Sequence, residues 1–164
     1  MKKKYMIFCI GLFLYSCVCK KNTFEAFTQP YNLDKISVYS EPNKFYSYLQ
    51  SDIEAGWIVK IKGQKSGHFY VKLPDDCSLF KKNIWVKQGD IGVIIQNYDS
   101  IKIPMYSSSN TLSKPIVYIY TSTIGKVCDI KKELVLLDIE YDDKNIQGWV
   151  EKKYLCGNPY TPCN

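Results

Sequence analysis

Ile36-Ser37-Val38-Tyr39-Ser40-Glu41-Pro42-Asn43 is answered, 67 residues later, by Ile103-Pro104-Met105-Tyr106-Ser107-Ser108-Ser109-Asn110. Three further blocks recur in the same order. Gly56-Trp57-Ile58-Val59-Lys60-Ile61 lines up with Gly125-Lys126-Val127-Cys128-Asp129-Ile130, and Phe69-Tyr70-Val71-Lys72-Leu73 with Val135-Leu136-Leu137-Asp138-Ile139. Ile84-Trp85-Val86 lines up with Gly148-Trp149-Val150, each followed five residues on by an aliphatic, Ile91 and Leu155. Ordered recurrence at a near-constant spacing is the signature of a duplicated structural unit, here of about 60 residues.

Within a unit the segments are short and alternate in polarity. Ile58, Lys60 and Lys62 alternate with Val59, Ile61 and Gly63, a period of two that belongs to strands. The partner strand follows the Gly- and Lys-rich stretch 63–67, and Lys131-Lys132-Glu133 occupies the matching turn of the second copy. Short strands with such turns predict an all-β fold, with each unit a small, nearly closed barrel. Closure suits a unit of this size, which buries little core and gains from hiding its sheet edges. The connection at Gln96-Asn97-Tyr98-Asp99 is short, so the two units are expected to sit in a fixed relation.

Upstream of the repeats the chain changes character. Lys2, Lys3 and Lys4 precede an apolar run over residues 5–15, the cationic and hydrophobic parts of a secretory signal. Eleven residues of helix reach only about 17 Å, short of the ~30 Å hydrocarbon layer. The run ends Leu14-Tyr15-Ser16-Cys17, which resembles the bacterial lipobox. That resemblance implies a signal peptide over residues 1–16 and acylation of Cys17, which becomes the mature N-terminus and a membrane anchor. Two or three acyl chains hold a protein stably, whereas one is marginal. Bacteroidetes lipoproteins sent to the cell surface tend to carry acidic residues just after this cysteine; Val18, Cys19, Lys20 and Lys21 include none, so the resemblance implies a periplasm-facing anchor rather than the cell surface.

Composition removes other classes. Hydrophobic residues make up 46% and charged residues 23%, values of an ordinary folded protein rather than a disordered one. All 22 basic residues are lysine, and the formal charge of +6 falls to +3 without Lys2, Lys3 and Lys4 (19 lysines against 16 acids). A spread-out lysine excess with no arginine does not predict a nucleic-acid binder. The 14 tyrosines and 7 phenylalanines fit strands.

The block order resembles that of bacterial Src-homology-3-like (SH3-like) domains: a first strand with a Ser/Pro/Asn loop, a Gly-led strand, a hairpin, then Gly-Trp-Val before a terminal turn. Gly148-Trp149-Val150 with Tyr154-Leu155 carries the match closely, and Ile84-Trp85-Val86 more loosely. Cys156-Gly157-Asn158-Pro159-Tyr160-Thr161-Pro162-Cys163 looks like the tail of tandem domains of this kind in Bacteroides envelope proteins. The resemblance implies a linker over 17–33, a first SH3-like barrel over 34–98, and a second over 99–164 with a cysteine-bounded tail. It also implies a non-catalytic envelope module that binds peptidoglycan or its peptide stems, or else an interaction subunit that recruits an envelope protein. A monomer is expected.

The inventory of reactive groups points the same way. His68 is the single histidine, so a Cys–His nucleophile pair would need it. Its conceivable partner Cys77 lies in the polar stretch Pro74-Asp75-Asp76-Cys77-Ser78. Asp75-Asp76 and Asp142-Asp143 read as solvated turns, without the ligand spacing of a calcium loop. The scattered cysteines lack metal-site spacing, and no cofactor or metal is expected. Cys128 is expected in the core of a strand. Cys156 and Cys163, in an oxidising compartment, are expected to form a disulfide, stabilising by about 2.5 kcal/mol on the chain-entropy model.

Candidate ligand contacts are aromatics that recur or cluster. Tyr39 and Tyr106 occupy matching positions, as do Trp85 and Trp149. Tyr46, Tyr48, Tyr118 and Tyr120 fall in a divergent, loop-like region, of which Tyr48 and Tyr118 are the leading candidates. Flat rings suit sugars or extended peptides at little entropy cost.

Overall fold

The computed structural model describes residues 23–28, 35–50, 56–75 and 83–159. The signal segment, Cys17, Cys19, Asp76, Cys77 and Cys163 lie outside the described residues. The chain is all-β. The first repeat comprises β1 (Phe24–Thr28), β2 (Lys35–Glu41), β3 (Lys44–Gln50), β4 (Ile58–Lys65), β5 (His68–Lys72), β6 (Asn83–Lys87) and β7 (Ile91–Ile95). The second has β8 (Ile103–Tyr106), β9 (Pro115–Ile119), β10 (Thr123–Lys131), β11 (Leu134–Tyr141) and β12 (Lys144–Glu151). A 3-10 turn at Lys152–Tyr154 and β13 (Leu155–Cys156) complete it. All join one antiparallel sheet in the order β3-β2-β6-β5-β4-β1-β7-β10-β11-β12-β8-β9, with β13 added beside β7.

Local chemistry sets the hairpins. Ser66 and Gly67 (φ 49° and 73°) and Asp142 and Asp143 (φ 51° and 59°) place two successive residues in the left-handed region. That is the geometry of a two-residue turn whose twist matches antiparallel strands. The β4–β5 turn is thus Ser66-Gly67 alone, and Gly63, read from the sequence as part of it, lies inside β4. Between turns, alternate residues point inward. Val38, Phe69, Val71, Val86, Val93, Ile95, Val127, Leu137 and Val150 are fully buried in a single cluster that runs through both repeats.

Strand β7 ties the repeats together. It pairs with β1 (Phe27↔Gly92, Thr28↔Ile91), with β13 (Leu155↔Ile95, Cys156↔Ile94) and with β10 (Lys126↔Gly92 to Thr123↔Ile95). Because β10 meets residues that also face β1 and β13, the latter two lie end to end along the opposite edge of β7. A Cβ on Gly157 would collide with the backbone of Glu25 and Ala26, so that junction is closed tightly enough to require glycine. Strand β7 stands to β10 as β1 stands to β4 (Val93↔Gly125, Ala26↔Val59). It therefore closes the first repeat and opens the second.

Strand β1 falls in the stretch 17–33 read from the sequence as linker. Its place is held by β4 and by Thr28, whose N–H donates to Trp57 O (2.8 Å) and whose Oγ1 accepts from Trp57 N–H (2.7 Å). A five-residue strand whose partners lie 29 or more residues away leaves no local periodic signal.

The pairing also corrects the repeat register. Ile61 faces Val71 and Val127 faces Leu137, so strands β4 and β10 are offset by 66 residues (61 to 127), not the 69 implied by matching Gly56 with Gly125. In each hairpin the register slips at the next residue, Lys62 and Cys128, forming equivalent β-bulges. Cys128 is consequently not a core residue. It is a half-buried free thiol that Gln147 Nε2 approaches at 3.8 Å, and burial together with nearby Asp138 pushes its pKa up.

Contacts across the repeats reinforce β7. Gln64 Nε2 donates to Asp129 Oδ1 (2.7 Å), its Oε1 accepts from Ile130 N–H (3.2 Å), and Gly89 N–H donates to Val127 O (2.7 Å). In the connection, buried Asn97 donates to Ile101 O (2.7 Å) and Ile119 O (3.1 Å) and accepts from Ile101 N–H (2.9 Å). Each such bond stabilises by about 1 kcal/mol net, and more is lost when one partner is removed.

A shared strand predicts shared unfolding. Ile95→Ala, at a fully buried β7 position, should cost about 2–5 kcal/mol. Chemical denaturation monitored by repeat-specific probes should give one coincident transition for both repeats; two separated transitions would contradict the coupling.

Candidate functional site

The face of the first repeat turned away from the core carries the predicted aromatics. On β2, β6 and β5 the residues Tyr39, Trp85 and Tyr70 stand opposite one another (Tyr39↔Trp85, Tyr70↔Trp85), flanking strand positions Val38, Val86 and Phe69 whose side chains point inward. Tyr70 and Trp85 lie with ring centroids 5.1 Å apart at 39°. Tyr39 meets His68 edge-on at 4.7 Å and Phe45 at 6.1 Å, and Phe45 meets Tyr48 at 5.1 Å. Aromatic pairs at these distances contribute about 0.5–1.5 kcal/mol beyond area burial. The result is an aromatic surface across β3, β2, β6 and β5. Its outer part is open: Phe45 is 53% exposed and Tyr48 50%, whereas Tyr39 is 7%.

Lysines bracket this surface. Lys35 Nζ sits 4.5 Å from the Tyr48 ring centre and Lys87 Nζ 5.9 Å from that of Tyr39. His68 is buried. Its Nδ1 lies 2.8 Å from Ser66 O, and since a carbonyl only accepts, Nδ1 carries the proton. Nε2 is buried without a hydrogen-bond partner among the described residues. Asp90, beyond Lys87 in the β6–β7 turn, has its carboxyl pKa raised by burial, against the pull of Lys87, His68 and Lys126.

The second repeat presents the same frame with different contents. Tyr106 faces Trp149, which faces Leu136. Tyr106, Trp149 and Leu134 are all buried in a small cluster separate from the main core, with Leu136 packed on it. Lys131 Nζ covers the Trp149 ring at 5.0 Å. Burial, with Glu151 nearby, pushes the Tyr106 hydroxyl pKa up. Tyr118 faces Pro104 on β8 as Tyr48 faces Ser37 on β2, and is 42% exposed.

The six predicted ligand-contact aromatics thus form two matching sets: Tyr39, Trp85, Tyr48 and Tyr106, Trp149, Tyr118. Tyr46, Tyr48 and Tyr118 lie on strands, not in loops, with Tyr120 directly after β9. Phe45, Tyr70 and His68 complete the first set and were not selected from the sequence. Alternation within Phe69-Tyr70-Val71 points Tyr70 outward, but a register slip next to Phe45 hides its face from any simple period of two.

Other features lie away from this surface. An open cleft of about 750 Å3 between β10 and the β11–β12 turn is lined by Ser122, Thr123, Glu140, Asp142 and Asp143 among others. Among the described residues no group of three or more His, Cys, Asp or Glu side chains is arranged to hold a metal ion. Cys156 is fully buried, and Asn158 N–H approaches its Sγ at 3.4 Å.

The unequal burial of the two tryptophans predicts unequal costs. Trp149→Ala should destabilise by about 3–5 kcal/mol, and Trp85→Ala, half-buried on the open face, by clearly less. Urea titration of both variants checks the order, and a larger loss for Trp85→Ala would contradict it.

No protein-family model matches the chain, and no curated protein matches it. Among solved structures, NlpC2 from Trichomonas vaginalis is 14% identical with a TM-score of 0.32, the match covering 82% of this chain and 48% of that one. NlpC1 from the same organism is 12% identical with a TM-score of 0.34, covering 89% and 50%. The chain spans about half the length of each.

Proposed function

We propose that this protein is a non-catalytic binding module of the cell envelope, built from SH3-like repeats and holding peptidoglycan or its peptide stems from a lipid anchor at Cys17 on the periplasmic side. The observation that carries the proposal is the cross-strand Tyr–Trp pair. It recurs on the outer face of both repeats, and in the first it continues into Tyr70, Phe45 and Tyr48, whose rings are at least partly open to solvent. Flat, stiff rings bind sugar faces or extended peptides without large losses of rotamer entropy. The burial of His68, with its ring lodged against Tyr39, supports a structural rather than a catalytic role for it.

The decisive experiment is retention of the full chain, purified in detergent, on isolated sacculi. Retention is expected, with Tyr70→Ala and Trp85→Ala each lowering the bound fraction severalfold at unchanged fold. No retention would favour recruitment of an envelope protein instead.

Two covalent features belong to the same proposal: acylation of Cys17, and a Cys156–Cys163 disulfide that pins the tail next to β13. Mass spectrometry of the protein isolated from membranes should find Cys17 as an acylated N-terminus and Cys156 joined to Cys163 under non-reducing conditions. An unmodified Cys17 peptide or two free thiols would refute the respective assignment.

A further inference from the structure

The outer faces of the two repeats share a backbone and differ in charge. In the first repeat the aromatic row Gly63–Tyr70–Trp85–Tyr39 lies between two other outward-facing rows, Lys60–Lys72–Asn83 and Lys65–His68–Lys87. The matching rows of the second repeat are Asp129–Leu136–Trp149–Tyr106, flanked by Lys126–Asp138–Gln147 and Lys131–Leu134–Glu151. Lys72 is thus replaced by Asp138, Lys87 by Glu151 and Gly63 by Asp129. With Glu25, which faces Lys60 from β1, the first face carries four lysines and one acid in these rows; the second, where Gly92 faces Lys126, carries two lysines and three acids. Solvent exposure alone does not separate such positions, so the difference is a difference in what each face attracts.

We infer that the first repeat's face is the ligand-binding one and that its ligand is a short extended peptide bearing free carboxylates. This rests on the proposed envelope-binding role and narrows it to one face and one chemistry. Charge complementarity carries it. Outer rows of a strand are two residues apart, so the two lysine rows are about 13 Å apart along the strands, on either side of the rings. That matches carboxylates about four residues apart on an extended chain, whose backbone would then lie across Tyr70 and Trp85. Gly63, at the end of the row, leaves open space where a Cβ would meet nothing within 4 Å. Lys65 makes no ion pair among the described residues. The Lys60–Glu25 and Lys72–Asp75 pairs (3.4 Å each) are solvent-exposed and so weak enough for a ligand carboxylate to replace. In the second repeat Asp138 and Glu151 would repel the same ligand, and Trp149 is already covered by Lys131.

The test measures binding of the full chain in detergent to a fluorescent pentapeptide with a side-chain carboxylate at its start and a free C-terminus. The same peptide with both carboxylates amidated is the comparison. The free-acid form should bind at least tenfold more tightly, with the preference falling as salt rises. Lys65→Glu/Lys87→Glu should abolish the preference, and the milder Lys65→Gln/Lys87→Gln should reduce it. The charge-matched control Lys114→Glu/Lys144→Glu should leave it within twofold. Equal affinity for the two peptides, or equal loss in the control, overturns the inference. An oligonucleotide of equal charge binding as tightly as the acidic peptide overturns the choice of a peptide ligand. Sacculus retention measured on the same preparation reports separately on the envelope-binding role: retention with no carboxylate preference leaves that role standing and removes only this inference.

Discussion

The structure depends on one strand having both edges occupied. Strand β7 hydrogen-bonds to β10 along one edge and to β1 and β13, end to end, along the other. Its side chains Ile91, Val93 and Ile95 are fully buried in the cluster that spans both repeats. A five-residue strand with no free edge and an apolar run through it is the central-strand solution for a short segment. It also removes the question of how two units pack, because they hold a strand in common. The closed junction at Gly157 and the polar contacts of Gln64 and Asn97 follow from that arrangement.

Duplication on such a frame separates scaffold from content. Core positions are matched apolar for apolar: Val86 by Val150, Phe69 by Val135, Val71 by Leu137. The bulge recurs at Lys62 and Cys128, where one residue is a lysine reaching Asn83 and the other a cysteine near Gln147. Outward positions instead diverge, from Tyr70 to Leu136 and from His68 to Leu134. Inward positions answer to the same packing constraint in both repeats, whereas outward ones are released from it and record what each face meets.

His68 shows how the two constraints trade. Leu134 fills its equivalent position with an apolar side chain inside a small aromatic cluster. The imidazole does so with one nitrogen satisfied by Ser66 O and the other buried beside Tyr39. A buried polar nitrogen left unpaired costs stability that a leucine would not. The first repeat therefore carries a local penalty on the face that also holds the open aromatics and the lysines.

What the sequence by itself determined was the all-β class, the existence of two copies, and the recurrence of Tyr39 as Tyr106 and of Trp85 as Trp149. These are legible because strand alternation is local and a duplicated pattern repeats whatever its partners are. Strand β1, the shared use of β7, the bulges and the offset of 66 between β4 and β10 were decided by tertiary structure. Each depends on hydrogen bonds to residues distant in the chain, and a single-residue slip leaves composition and spacing unchanged while turning every later side chain to the other face. The site divides in the same way. The aromatics were visible as residues, but which are open, which are covered, and that lysines outnumber acids around one set and not around the other follow only from where the strands lie beside one another.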